Sequence, residues 1–279
     1  MEPDNKFSEL LFNQNQKFNK NIPSITRAHE FIDDLINFLF PIRANKEYSL
    51  SQTQQKFSEL RLDFQKLITP LGKRLEKSVD EITNGFFNLI PGIYENLLKD
   101  ASAFMAFDPA AKSIEGVIVY YPGFYSITVY RLSHELYKLN IPILPRMISE
   151  YAHSKTGVDI HPGATIDEHF LIDHGTGIVI GETSIIGKNV KIYQGVTLGA
   201  MCVEKDMECQ KRHPTIEDNV IIYAGSTILG GETIIGHDTI IGGNTWITKS
   251  VPSFSVVFHE SKTVVRDSKK YKEPRNFII

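Results

Sequence analysis

The chain has 279 residues, of which 42% are hydrophobic, and its formal net charge is −3. These values indicate an ordinary globular protein large enough for two domains, and the small net charge gives no indication of nucleic-acid binding. No apolar run reaches the length of about 18 residues that a membrane-spanning helix needs. Residues 1–20 are polar and lack the apolar core of a signal peptide, so we expect a cytoplasmic protein.

Residues 1–150 are predicted to form an all-helical domain, because their apolar side chains recur along one helical face. The first clear stripe runs over residues 27–40 and stops at Pro41. Ser51 and Gln54 suggest a capping box at the start of the second helix. The apolar faces of these helices are predicted to be core or subunit contacts rather than a ligand site.

Two more helices are predicted before the end of this domain. Ser78 and Glu81 form a second predicted capping box, ahead of a long stripe that Pro91 is expected to kink or split. A further amphipathic helix is predicted for residues 123–138, and Pro145 is expected to break the segment after it. Between these two helices lie Asp108 and Pro109, a pair that commonly starts a helix.

A six-residue repeat dominates residues 158–250. Each period begins with a branched apolar residue, and several of these residues are followed by glycine. Such a repeat is typical of a parallel β-helix with a triangular cross-section, in which each apolar side chain points inward. A sandwich of short strands is the alternative, but its turns would recur irregularly at about 8 to 12 residues. The repeat positions are Ile160, Ile166, Ile172, Ile180, Ile186, Ile192, Leu198, Ile216, Ile222, Ile228, Ile235, Ile241 and Ile247.

The repeat is interrupted twice, and both interruptions carry polar residues. The count slips by two residues at 172–177, which leaves Asp173 and His174 at a glycine-rich corner. A 13-residue insertion, 201–213, then ends in Lys211-Arg212-His213. Its two cysteines lie seven apart, which is a poor basis for a disulfide framework or a zinc site. A lone histidine in such a turn is usually a satisfied surface residue, whereas two histidines with an arginine indicate a site.

Four motifs and their order resemble the serine O-acetyltransferase family of hexapeptide-repeat acyltransferases. The motifs are 159–162 (DIHP), 173–183 (DHGTGIVIGET), 194–199 (QGVTLG) and 212–214 (RHP). The resemblance implies an α+β protein with a helical domain at 1–150, a left-handed parallel β-helix at 151–252 and a C-terminal tail at 253–279. It also implies a homotrimer, or a dimer of trimers, with active sites between subunits.

The family's reaction is transfer of acetyl from acetyl-CoA to the hydroxyl of L-serine, which gives O-acetyl-L-serine and CoA in the first step of cysteine biosynthesis. The resemblance assigns His174 as the general base that takes the hydroxyl proton, and no metal is expected. Asp159 is expected to accept a hydrogen bond from the other ring nitrogen of His174 and so to orient it.

The resemblance also assigns the groups that bind the substrates. Arg212 and His213 are expected to bind the serine carboxylate, and Asp108, beside Pro109, and Asp173 its amino group. The small residues Gly199, Ala224 and Gly225 are expected to line the CoA groove. Several features depart from the family pattern. Tyr223 replaces a glycine beside the groove, and residues 258–261 replace a Gly-x-Pro-Ala segment. The insertion is also longer than usual, lacks the typical glycines and has Lys211 where an acidic residue often stands.

Two other functions remain open at this stage. A related hexapeptide acetyltransferase would act on a sugar or an antibiotic and would not need the pairing of Arg212 with Asp108. A zinc carbonic anhydrase of the β-helix type could use His169 and His174, which are five residues apart, although no third ligand is evident.

The chain ends in Asn276-Phe277-Ile278-Ile279. In the family, such a tail inserts its carboxylate into O-acetylserine sulfhydrylase, the pyridoxal-phosphate enzyme that acts next, and cysteine competes at the serine site. The alternative is that the three apolar residues of this tail pack on the protein's own surface.

Overall fold

The computed structural model describes residues 3–18, 21–201 and 210–260. Cys202, Cys209 and the tail from residue 261 onward, including Ile279, lie outside the described residues. The predicted helical region is confirmed. Its helices are α1 (Pro3–Asn15), α2 (Ile25–Leu39), α3 (Leu50–Ile68), α4 (Val79–Phe107), α5 (Ile114–Tyr120), α6 (Pro122–Lys138) and α7 (Leu144–Thr156), with short 3-10 helices at Pro41–Ala44 and Thr69–Arg74. No helix among the described residues is both long and apolar enough to cross a membrane.

One of the two predicted capping boxes is confirmed and the other lies two residues earlier than predicted. The Ser78 side chain caps the N–H of Glu81, and the Glu81 side chain accepts from the Ser78 N–H at 2.9 Å. At α3 the box is made by Ser49 and Gln52 instead of Ser51 and Gln54. The Ser-x-x-Gln pattern occurs twice in a row here, and the earlier start adds further helical hydrogen bonds.

Two further predictions concerned proline positions. α4 continues through Pro91 and is not split. The lost hydrogen bond and clash cost roughly 3 kcal/mol, whereas Ile90, Ile93 and Leu97 are all buried and contribute about 1.5 to 3 kcal/mol each. Pro145 does not break the chain, because it lies in the first turn of α7, where the missing N–H is harmless.

Asp108 does not start a helix. It ends α4 as its C-cap, and the next helix, α5, begins after Ser113, whose side chain caps the N–H of Gly116. Asp108 instead holds the turn on its C-terminal side, because its Oδ1 accepts a hydrogen bond from Ala110 N at 2.8 Å. The interpretation of Asp108-Pro109 as a helix start is therefore wrong.

The β-helix is confirmed, is left-handed and makes about five turns. Its strands are β1 (Asp159–Ile160), β2 (Thr165–Ile166), β3 (Leu171–Asp173), β4 (Val179–Ile180), β5 (Ile185–Ile186), β6 (Lys191–Tyr193), β7 (Thr197–Gly199), β8 (Thr215–Ile216), β9 (Ile221–Ile222), β10 (Thr227–Leu229), β11 (Ile234–Ile235), β12 (Ile240–Ile241), β13 (Trp246–Ile247) and β14 (Val256–Val257). They form a first sheet (β1-β4-β7-β10-β13), a second sheet (β2-β5-β8-β11) and a third sheet (β3-β6-β9-β12-β14). All the pairings within these sheets are parallel.

All thirteen predicted repeat positions point into the core, and none is more than 8% exposed. They stack in register: Ile160 pairs with Ile180, Ile180 with Leu198, and Leu198 with Ile228. The insertion at 201–213 does not disturb the stack, because Ile186 still pairs with Ile216 on the second sheet. The β-helix therefore continues in phase on the C-terminal side of the insertion.

The helical region is joined to the first coil of the β-helix by buried polar contacts. Asp100 of α4 and Arg131 of α6 form a buried ion pair, and Arg131 also donates to the carbonyl of Asp167 at 2.8 Å. Tyr130 donates to the carbonyl of Ala164 at 2.6 Å. These contacts fix the helices against the coil that precedes the predicted site.

The change from helix to strand falls between Thr156 and Asp159, and the division into domains remains a prediction.

Candidate active site

The predicted site residues lie mainly at two corners of the triangular β-helix. The histidine corner, residues 174–178 with the turns stacked above it, joins the third sheet to the first. The arginine corner, residues 181–184 and 210–214, joins the first sheet to the second.

A left-handed turn presents His174 to the surface. His174 has φ 57 and Gly175 has φ 89, a region that glycine adopts readily. A Cβ at Gly175 would also come within 2.8 Å of the Val158 side chain, so the turn needs glycine for space as well. The His174 side chain is 70% exposed, and its Nε2 lies 3.8 Å from the Asp173 carboxylate. The turn thus holds a histidine outward beside a carboxylate.

The two aspartates predicted to bind an amino group share one neighbourhood. The Tyr121 hydroxyl donates to Asp108 at 2.7 Å. Burial raises the pKa of Tyr121 to about 12, and the charges of Asp108 and Asp173 both add to that effect. Burial also raises the pKa of Tyr193, with Asp173 and Asp108 again contributing. The structure therefore brings the two carboxylates together, while Pro109 lies exposed in the adjoining turn.

Asp159 lies on the first sheet. Within one chain, the described residues show no contact between Asp159 and His174. Its carboxylate accepts a hydrogen bond from Arg146 of α7 at 3.2 Å, and Arg146 also pairs with Glu150. The strand neighbour of Asp159 is Val179, which lies beyond the corner that holds His174. The predicted hydrogen bond is not formed here, and the orienting role of Asp159 remains a prediction.

At the arginine corner, Arg212 lies one coil above Glu182. The Arg212 guanidinium forms an ion pair with the Glu182 carboxylate, which also accepts from Tyr137 at 2.9 Å. Burial raises the pKa of Glu182, but the hydrogen bonds from Arg212 and Tyr137 outweigh burial and hold it below its usual value. Arg212 is therefore held in place from below by an ionised partner.

His213 is buried beside Arg212. Its Nδ1 lies 3.1 Å from the backbone N of Thr183 and 2.9 Å from the Thr183 hydroxyl. Burial, followed by the charges of Arg212 and Lys211, lowers the pKa of His213 to about 4. His213 is thus a neutral imidazole near pH 7.

The three predicted groove residues are divided between the corners. Ala224 and Gly225 lie at the histidine corner, where Gly225 has φ 71 and packs on Gly195 of the coil below. Gly199 ends β7 and leads into the arginine corner. Tyr223 stacks on Tyr193 with ring centroids 5.0 Å apart, so it covers the outer face of the third sheet beside the histidine corner.

Sequence reasoning missed Glu182, Thr183, Tyr137 and Arg146. Glu182 and Thr183 belong to the recognised 173–183 motif, but only the offset of 30 residues between β5 and β8 places them under Arg212 and His213. Because the insertion interrupts the six-residue count, the sequence does not reveal this offset of 30 residues. Tyr137 and Arg146 come from helices, and nothing in their sequence patterns indicates the contact.

The zinc alternative finds no cluster around its proposed ligands. In the described ranges, the one group with metal-ligand spacing is Glu150, His153 and Asp159, which includes neither His169 nor His174. Arg146 already pairs with Glu150 and Asp159 of that group.

A helical region followed by a left-handed hexapeptide β-helix defines the chain as a hexapeptide-repeat acyltransferase. It is 43% identical over 184 residues to the serine acetyltransferase of Bacillus subtilis, an alignment that covers 66% of this chain and 82% of the relative. The chain therefore belongs to the serine acetyltransferase family.

Two further comparisons agree with this assignment. A plasmid-encoded serine acetyltransferase of Synechococcus elongatus is 49% identical over 188 residues, which span 66% of this chain and 59% of the relative. The structure of Entamoeba histolytica serine acetyltransferase isoform 3 in complex with cysteine aligns with a TM-score of 0.77 and 32% identity, covering 95% of each chain. The chain matches no protein-family model.

Proposed function

We propose that this chain transfers acetyl from acetyl-CoA to the hydroxyl of L-serine, which yields O-acetyl-L-serine for cysteine biosynthesis. The observation that carries the proposal is the division of charge between the corners. The histidine corner carries a base, with the carboxylates of Asp173 and Asp108 beside it, whereas the arginine corner has a guanidinium and a neutral imidazole. Serine has an ammonium group that suits the carboxylates, a carboxylate that suits the guanidinium, and a hydroxyl that the base can deprotonate.

His174 is the proposed general base. A serine hydroxyl is a weak nucleophile near neutral pH, so a base must take its proton as it attacks the thioester carbonyl. An exposed imidazole can accept that proton and return it to the departing CoA thiolate. Asp173, at 3.8 Å, stabilises the imidazolium that forms, and Asp159 is the proposed orienting carboxylate once substrates and a second subunit are bound.

The ammonium and carboxylate groups of the substrate serine are proposed to lie between the two corners. Asp108 and Asp173 attract the ammonium, and Arg212 and His213 bind the carboxylate. A guanidinium has five N–H donors, so Arg212 can keep its Glu182 partner and still donate two hydrogen bonds to the substrate carboxylate.

Two copies of the chain are needed for this arrangement. His174 and Arg212 lie at different corners of one β-helix, with the first sheet between them. A cyclic trimer in which the histidine corner of one copy meets the arginine corner of the next would complete the site. We propose such a homotrimer, alone or paired into a dimer of trimers.

The same contact would form the acetyl-CoA groove. Ala224 and Gly225 from one corner, and Gly199 from the other, allow the pantetheine arm to approach the backbone. No metal is assigned a role. The compartment is proposed to be the cytoplasm.

Cysteine is proposed to compete with serine at this site. The Entamoeba histolytica relative was determined in complex with cysteine, which differs from serine only by sulfur in place of the hydroxyl oxygen. The amino and carboxylate contacts proposed for serine would therefore hold cysteine equally. O-acetylserine sulfhydrylase is the proposed partner of the C-terminal tail.

The test is thiol release from acetyl-CoA with four acceptors: serine, homoserine, a galactoside and chloramphenicol. The proposal predicts that serine gives the highest kcat/KM and that cysteine raises the apparent KM for serine. If the galactoside or chloramphenicol is preferred, the chain is an acetyltransferase for a sugar or antibiotic and the serine assignment is wrong.

A further inference from the structure

We infer that Thr183 is a positioning residue which fixes His213 as an Nε2–H donor and locks the backbone of Arg212 and His213 for binding the acceptor. The inference rests on the proposed function for the identity of the acceptor. It adds a residue that touches no substrate and acts through its neighbours.

The Thr183 hydroxyl is the centre of a small hydrogen-bond network. Its oxygen accepts from Arg212 N at 2.9 Å and from His213 N at 3.0 Å. These two donors belong to the segment that re-enters the β-helix after the insertion. One side chain therefore satisfies two consecutive backbone N–H groups and sets the direction of both side chains.

The same residue determines which nitrogen of His213 carries the proton. The backbone N–H of Thr183 can only donate, and it lies 3.1 Å from Nδ1. The Thr183 hydroxyl, whose oxygen already accepts two N–H groups, has its own proton left for Nδ1 at 2.9 Å. Nδ1 is therefore an acceptor, and in a neutral imidazole the proton must then be on Nε2.

Burial favours the neutral form on which this assignment depends. His213 is 9% exposed, and its pKa is lowered to about 4 by burial first and by the neighbouring cations second. Within the part of the chain that the structure describes, no hydrogen-bond partner contacts Nε2. The N–H of Nε2 is thus available to donate to an anionic or carbonyl oxygen of a ligand.

Gly181 leaves the space that the His213 imidazole occupies. A Cβ at this position would overlap Cδ2 and Nε2 of His213, so the imidazole lies directly against the glycine backbone. Gly181, Glu182 and Thr183 are consecutive: the first leaves space for the ring, the second pairs with Arg212, and the third binds His213. Together they support both binding residues from the coil below.

The test compares Thr183→Val with Thr183→Ser. Valine keeps the shape but removes the hydroxyl, so the KM for serine is expected to rise about tenfold, or about 1.4 kcal/mol, with the KM for acetyl-CoA within about twofold. Serine at 183 keeps the hydroxyl and is expected to restore the wild-type KM. Thr165→Val is the control, because Thr165 is exposed on β2 of the second sheet, away from the arginine corner's histidine, and the described residues give its hydroxyl no hydrogen bond.

A second measurement does not depend on activity. Long-range proton–nitrogen spectra of the wild-type protein, with His213 assigned by His213→Gln, should place the proton on Nε2 at pH 7. Three results would each overturn the inference: a proton on Nδ1 of His213, an unchanged acceptor KM in Thr183→Val, or a raised acceptor KM in Thr183→Ser. If Thr183→Val does not fold, the spectrum and the Thr183→Ser kinetics decide. Should the preferred acceptor be something other than serine, the proposed function fails, but the Nε2–H tautomer and the KM effect on that acceptor are still predicted.

Discussion

Replacing Arg212 with alanine is expected to weaken serine binding strongly and to leave acetyl-CoA binding nearly unchanged. The Arg212 side chain is only 15% exposed, so its charge-assisted hydrogen bonds are poorly screened by water. Two such bonds to a carboxylate are worth about 1.5 to 3 kcal/mol each. Because Glu182 already shares the guanidinium, we take the lower end, about 3 kcal/mol, which corresponds to a rise of about 10²-fold in the serine KM.

The assay is thiol release with serine and acetyl-CoA varied separately, so that the two KM values are resolved. Arg212→Lys is the matched control, because it keeps the charge but loses the planar fork, and it should raise the serine KM about tenfold. A raised acetyl-CoA KM with an unchanged serine KM would refute the reasoning, because the arginine corner would then bind the coenzyme.

Three other outcomes are expected. His174→Asn should lower kcat by about 10² to 10⁴ through loss of the base, while the same change at Asp159 should cost less; a kcat within twofold of wild type for His174→Asn would remove it from the mechanism. Folding lowers the pKa of His213 from 6.5 to about 4, so the unfolded state takes up a proton at a higher pH than the folded state does. The folded protein should therefore lose stability as the pH falls from 6.5 towards 4. In thermal melts over this range, the Tm of His213→Gln should fall less than the Tm of the wild type. Deleting Ile279 should abolish capture of O-acetylserine sulfhydrylase in a pull-down and leave acetyl transfer intact, whereas retained capture would exclude the tail as the contact.

The coils of the β-helix were predictable because their signal is local and repeated. Each repeat residue, such as Ile186, has a stacked neighbour of the same type, so the six-residue period alone predicts which side chains are buried. Only some of the helices were predicted: α1, α5 and α7 were missed. Pro145 was expected to break the chain but lies in the first turn of α7, where its helix position outweighs the local rule. At Pro91 the helix is not split, because buried packing on both sides of the proline holds it together.

The site was less predictable, because its contacts are long-range. The motif residues Asp173, His174, Arg212 and His213 were found from the sequence, and the structure places them in two groups rather than one. The partner of Arg212 could not be found, since the insertion breaks the count that would align Glu182 beneath it. The proposed contact between copies was expected only from the family resemblance, because the six-residue period describes one chain alone.

The central claim is that one site is built from the histidine corner of one copy and the arginine corner of the next. It is tested most directly by co-expressing His174→Asn and Arg212→Ala chains with different tags and purifying the mixed oligomers on both tags. At low serine concentration each variant alone is nearly inactive, but a mixed cyclic trimer has one intact site in three, so about one third of the wild-type rate is expected. A double variant, His174→Asn with Arg212→Ala, mixed with His174→Asn chains should give no recovery. If the two single variants also fail to complement each other, the site does not lie between copies and the account is contradicted.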